Sequence, residues 1–230
     1  MTFALGGSTA HAQTDPAVFP IDMISPVIPG LVLENILADP ASRSKAGGSG
    51  APTVDITRYH ASPAVTARVK QQYVDLVRKT VGARAADQYD AVLRQHDPVD
   101  NWASLVADEG FHPGDVAEAI ASYWMLSYLV ANGQSDGPRG AGAAVAQQVR
   151  GVFSRNRTYM ALDEAQRQEL AEGVMLKFLT QQAAYSQAVK NHDADLKRRL
   201  GDVAVTQIRS ELGIDLRSVV LTSRGFATKG

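Results

Sequence analysis

From Ser62 onward apolar residues recur at three- and four-residue spacing, the period of one helix face. Ser62-Pro63 reads as an N-cap with proline at the first helical position, and Val65, Val69, Tyr73, Leu76, Val77 and Val81 follow until Gly82. A second helix is expected from about Ala83 to His96, with Ala86, Tyr89, Val92 and Leu93 inward. A third opens at the Asp97-Pro98 cap, carries Asp100 in its first turn, turns Trp102, Leu105 and Val106 to the core and stops at Gly110. The fourth, about Pro113 to Asn132, breaks the pattern: Val116, Ile120, Tyr123, Trp124, Met125, Leu126, Tyr128, Leu129 and Val130 cover most of its circumference. A helix apolar nearly all round is surrounded by others, so this one forms the centre of the molecule.

After a Gly/Pro loop, Ala141 to Ser154 gives a fifth helix through Val145, Val149, Val152 and Phe153. Asp163 with Gln166 is a capping box that opens a long sixth helix through Leu170, Val174, Met175, Phe178, Leu179 and Tyr185. The seventh spans about Asp193 to Leu212, with Leu196, Leu200, Val203, Ile208 and Leu212 inward and Gly213 as its stop. Ile214 to Leu221, with β-branched Val219-Val220, is expected to be a short extended segment. The pattern predicts an all-α fold, a single bundle of about seven helices around a central apolar helix.

The chain before Ser62 is different. Seven of the ten prolines fall between Pro16 and Pro63, which excludes a regular helix or a central strand there. Val18, Phe19, Ile21, Met23, Ile24, Val27, Ile28, Leu31, Val32, Leu33, Ile36 and Leu37 are nonetheless too apolar for a solvated tail. Thr14 to Leu37 therefore reads as an irregular Pro-rich strap that docks either on a groove of its own helical domain or on a partner protein; Ala38 to Thr57 reads as a linker. Further upstream, Ala10-His11-Ala12 before Gln13 has the small-x-small form of a signal-peptidase site, with Gly6-Gly7-Ser8 as the helix-breaking stretch ahead of it. Met1 to Thr9 contains no Lys or Arg and has only a short apolar patch at Phe3-Ala4-Leu5. Either the start codon lies upstream and Met1 is internal to the signal, or these residues form a disordered N-terminus. The division expected is 1–12 as a signal remnant, 13–61 as strap and linker, and 62–230 as the helical domain, in a periplasmic or secreted protein.

Composition narrows the chemistry. With no cysteine there is no disulfide, thiolate metal site, thiol nucleophile or lipid-bearing cysteine. The 23 basic and 24 acidic residues leave a net charge of -1, so no global field draws the chain to nucleic acid. The longest apolar run, Ala119 to Ala131, is interrupted by Ser122 and Ser127 and falls short of the roughly 18 to 20 residues a membrane helix needs.

Few residues are candidates for a site. Glu118 is the only charge between Asp115 and Asp136 and lies one turn into the most apolar helix. Desolvation there would suit general acid or base work, with Asp108 or Glu109 as a possible second carboxylate. The ordinary reading is an acid placed in a first turn, where the helix dipole favours negative charge. Tyr123, Trp124 and Tyr128 either line a ligand groove or fill the core. Arg150 with Arg155 and Arg157, and Lys197-Arg198-Arg199, meet phosphates or are solvated helix faces. His96 beside Asp97 reads as a partly buried, satisfied histidine, and His192 as part of a loop. The five histidines form no metal pair, and GxSxG, phosphate-binding glycine loops and calcium loops are absent. No catalytic residue, metal or cofactor is assigned.

Tyr59 with Ser62-Pro63-Ala64, Asp115-Val116-Ala117 leading into Tyr123-Trp124, Asn132-Gly133, Gln168-Glu169-Leu170-Ala171-Glu172, and Leu221-Thr222 with Gly225-Phe226 make the chain resemble an uncharacterised family of exported bacterial helical proteins. The likeness spans Tyr59 to Phe226 and implies a compartment and a helical fold but no activity. The expectation is a non-enzymatic macromolecule-binding or structural module of the cell envelope. The alternatives are an envelope hydrolase using Glu118 and a second carboxylate, or a small-ligand carrier.

Overall fold

The computed structural model describes residues 55–229. The tripeptide Ala10-His11-Ala12, the strap Thr14 to Leu37 and nearly all of the linker lie outside the described residues. After a 3-10 turn at Asp55–Thr57 come eight α-helices: α1 (Pro63–Thr80), α2 (Ala83–Gln95), α3 (Pro98–Val106), α4 (Val116–Asn132), α5 (Ala141–Phe153), α6 (Arg157–Met160), α7 (Glu164–Lys190) and α8 (Ala194–Leu212). Two strands, β1 (Val219–Thr222) and β2 (Gly225–Thr228), follow them. The described domain is all-α apart from this hairpin.

The centre is α4. Fifteen of its residues are buried, from Val116 to Ala131, and it packs against α5, α7 and α8. Asp115, in extended conformation, caps it by accepting the Ala117 N–H at 2.8 Å; Gly133 at φ 64 ends it in the left-handed region that glycine adopts without strain. The helix thus begins at Val116, because the Asp115 cap, and not Pro113, sets its first turn. On α3, Trp102 is fully buried and donates its indole N–H to Ser122 of α4 at 2.9 Å, which satisfies a polar atom deep in the core.

A second, smaller core lies beside the first. There α1 and α2 enclose Val65, Val69, Tyr73, Val77, Ala86 and Leu93 and meet Leu176 of α7. Tyr73 and Tyr89 both place their hydroxyls 3.0 Å from Thr180 Oγ1, which itself donates to the Leu176 carbonyl at 2.9 Å. One threonine on α7 therefore accepts from both helices of the hairpin. Val92 faces outward at 38% exposure instead of inward, because α2 buries one narrow face, that of Ala86, Tyr89 and Leu93. Ser62 makes no side-chain cap; its backbone is held by Gln168, whose amide accepts the Ser62 N–H at 2.8 Å and donates to its carbonyl at 3.0 Å.

The long α7 opens with the capping box of Asp163 and Gln166, both bonds formed. The short α6 just before it places Tyr159 on Phe153 of α5, ring centroids 3.8 Å apart and nearly parallel. After the Gly213 stop the chain turns at residues 216–218 and enters the antiparallel hairpin, with Val219 opposite Thr228 and Leu221 opposite Phe226. The extended segment expected over Ile214 to Leu221 is thus confined to β1, and it has a partner strand. Phe226 meets the edge of Tyr128 at 5.6 Å, and Gln148 of α5 both donates to the Phe226 carbonyl and accepts its N–H. Gly225 has φ 95, and a Cβ there would strike the Gln148 amide at 2.5 Å, so this close approach requires glycine.

Candidate functional site

The first turn of α4 gathers the ionic groups singled out by the sequence. Arg150, projecting from α5, donates one guanidinium NH2 to Asp115 Oδ2 at 2.7 Å and to Glu118 Oε1 at 3.1 Å. The other Glu118 oxygen accepts the His112 N–H at 2.8 Å, and the other Asp115 oxygen caps the helix. The preceding strand-like segment docks on the same turn through Tyr59 N–H to the Gly114 carbonyl and an isolated bridge between Arg58 and Asp115. Burial opposes the charge on Arg150, but the two carboxylates outweigh it and raise its basicity, so the guanidinium stays charged. Arg150 is neither a solvated helix end nor open to phosphate, since Asp115 and Glu118 enclose it. A two-carboxylate hydrolytic mechanism needs one acid and one base across an open space. Here a cation lies between the two acids and binds both.

The other expected residues separate. Tyr123, Trp124 and Tyr128 are all buried; Tyr123 has the Lys177 ammonium 5.8 Å from its ring centre, Tyr128 packs on Phe226, and Trp124 borders an apolar gap of about 20 Å³ with Ile208, Leu216 and Phe226. Asp108 is exposed, while Glu109 lies against the start of α5, where burial raises its carboxyl above the usual range and the Gly142 N–H partly offsets that. His96 is exposed rather than partly buried, because it is the C-cap of α2 and points away from the core. His192 occupies the loop between α7 and α8 at φ 54. Arg198 pairs with Asp195 one turn away on the surface.

Two polar groupings on α7 have no counterpart in the sequence-based expectations. Glu172, 3% exposed, accepts from Gln168 Nε2 at 2.7 Å and Thr66 Oγ1 at 2.9 Å; burial raises its carboxyl above the usual range despite these bonds. Lys177, 2% exposed, donates to Glu211 of α8 at 2.8 Å. Further along α7, its last turns meet the C-terminal end of α4 and the start of α8 around a cleft of about 250 Å³. Leu126, Leu129 and Val189 are its apolar lining, and Gln134, Ser135, Gln182, Tyr185 and Lys197 are its polar lining. Among the described residues no group of three or more His, Asp or Glu side chains is placed to hold a metal ion. Within them, too, no helix is long and apolar enough to cross a membrane.

Fold and site together define an all-helical domain built on one central apolar helix, with an arginine clamp at one end of it and a mixed cleft at the other. The chain belongs to a family of unknown function (DUF6683), whose profile it matches over residues 45–229. No curated protein and no solved structure matches it.

Proposed function

We propose that this chain is a non-enzymatic, exported module of the cell envelope that binds another macromolecule through Thr14 to Leu37. The observation that supports this reading best is the way the helical domain disposes of its own apolar surface. Among the described residues, Val92 and Met160 are the exposed large apolar side chains. Thr14 to Leu37, in contrast, brings twelve large apolar residues together with Asp15, Asp22 and Glu34 and no basic residue. Apolar surface of that extent seeks a covered position, and the described domain offers it little matching face, which favours a partner in trans. The clamp supports the non-enzymatic part, because Glu118, the acid singled out for acid or base work, is bound to Arg150.

The test compares the full chain with a variant lacking residues 14–37 by size-exclusion chromatography with light scattering, and by saturable binding to washed envelope fractions. The expected result is that the full chain binds or self-associates, whereas the deletion is a monomer with the same melting temperature that is not retained. Two equally stable monomers, neither retained, would overturn the reading. Fractionation of cells producing the untagged protein tests export separately, with recovery in the periplasm or medium expected and recovery only in the cytosol against it.

A further inference from the structure

We propose that the cleft between α4, α7 and α8 is a binding site for a small carboxylic acid with an apolar body. The inference stands on different residues from the partner reading and is independent of it. Gly133 and Gln134 line the cleft, which places it at the opposite end of α4 from the Asp115 cap, about 25 Å along a helix of this length.

Three features specify the ligand. The first is unpartnered polarity. Gln182 and Tyr185 are 7% and 6% exposed, and neither the amide nor the hydroxyl bonds to a described residue; burial alone raises the Tyr185 phenol above its usual range. Neither polar group is sealed from solvent, so both reach the cleft, where an acceptor on a ligand would replace water. The second is charge. Lys197, half-buried in the early part of α8, has no carboxylate within ion-pair distance among the described residues. The nearby acids are committed elsewhere: Asp193 caps α8 at the Leu196 N–H, Asp195 holds Arg198, and Asp136 accepts from Ser135. The third is size and lining. Leu126, Leu129 and Val189 suit an apolar body, and about 250 Å³ matches roughly eight waters at about 30 Å³ each, or a ligand of about a dozen non-hydrogen atoms.

A single ammonium among the neutral side chains Gln134, Ser135, Gln182 and Tyr185 complements a monoanion whose oxygens accept hydrogen bonds. A phosphate dianion asks for more cations than the one this lining contains, and a cationic ligand is repelled by Lys197. Such an acid has two sources, a medium-chain fatty acid or the C-terminal residue of a peptide. Octanoate and N-acetyl-leucine stand for them.

The experiment titrates the full ¹⁵N-labelled chain with octanoate, N-acetyl-leucine, 1-octanol and octylamine, with amide shifts mapping the site and calorimetry giving the affinity. At least one of the two acids is expected to bind saturably at one site, moving amides of residues 126–135, 182–189 and 197, with 1-octanol at least tenfold weaker and octylamine weaker still. Binding by octanoate alone assigns a fatty acid, and by N-acetyl-leucine alone a peptide C-terminus. Lys197→Met is expected to weaken the acid tenfold or more while leaving the 1-octanol affinity unchanged. Tyr185→Phe, which keeps the ring, is expected to weaken it several-fold and serves where the first variant is poorly folded. Neither acid binding, shifts located elsewhere, or 1-octanol binding as tightly as the acids would each overturn the proposal.

Discussion

Arg150 holds two acids from one nitrogen, at 2.7 and 3.1 Å, in a corner where its side chain and that of Asp115 are almost wholly covered. Removing the cation leaves negative charge without a partner, an arrangement far costlier than the intact pair is stabilising. Arg150→Met is therefore expected to lower unfolding stability by about 3 kcal/mol in urea titration, and Asp115→Asn by less, because the amide oxygen still accepts the Ala117 N–H. Equal stability of Arg150→Met and the parent would show that the clamp does not carry α4's first turn. Glu172 gives a pH signature. Its folded value is raised above 4.5, chiefly by burial, so between 4.5 and that raised value the folded chain keeps a proton the unfolded chain has released. Stability then falls as pH rises through this window and the loss is complete above it. Urea titrations from pH 4.5 to 7 are expected to show a shallower decline for Glu172→Gln than for the parent, and parallel curves would assign the decline to other groups.

Helix α7 contains Gly173 and α8 contains Gly201, and their surroundings differ. A Cβ at Gly173 meets nothing within 4 Å, whereas at Gly201 it falls 3.1 Å from the Val130 carbonyl of α4. Gly173→Ala is expected to stabilise by roughly 0.5–1 kcal/mol through the backbone entropy of the unfolded chain. Gly201→Ala is expected to destabilise by about 1–3 kcal/mol by wedging α8 off α4. Thermal melts that rank the two alike would mean the α4–α8 approach is looser than described. The caps at Asp97 and Asp163 and the stops at Gly110 and Gly213 were legible, because each depends on residues within one turn of it. What was not legible is set at long range. Four-residue elements such as α6 and β2 show no period of their own, and β2 depends on Gln148, 78 residues before Phe226. For the polar residues of α7, nothing local reveals that α1 covers Glu172 or that α8 meets Lys177. The clamp was half legible: Glu118 and Arg150 each stood out, but their pairing spans 32 residues of chain.

Across the whole molecule, α7 is the shared wall. Its 27 residues make a rod of about 40 Å that contributes Leu176 and Thr180 to the small core and Val174, Met175 and Phe178 to the large one. The α1–α2 hairpin is thus attached mainly through one side of one helix and is the natural unit to open first. Thr180→Val removes the acceptor shared by Tyr73 and Tyr89 and is expected to cost about 1–2 kcal/mol. Hydrogen exchange is expected to quicken over residues 63–95 while α4 keeps its protection; uniform quickening would show that the two cores open together. For α4 itself the chain faces a problem of assembly. With 15 of 17 residues destined for the interior, this helix has no face to show water before α5, α7 and α8 arrive. Until then it is, among the described helices, the one most prone to stick to another copy, so a chaperone that keeps the newly made chain from aggregating would have to hold residues 116–131.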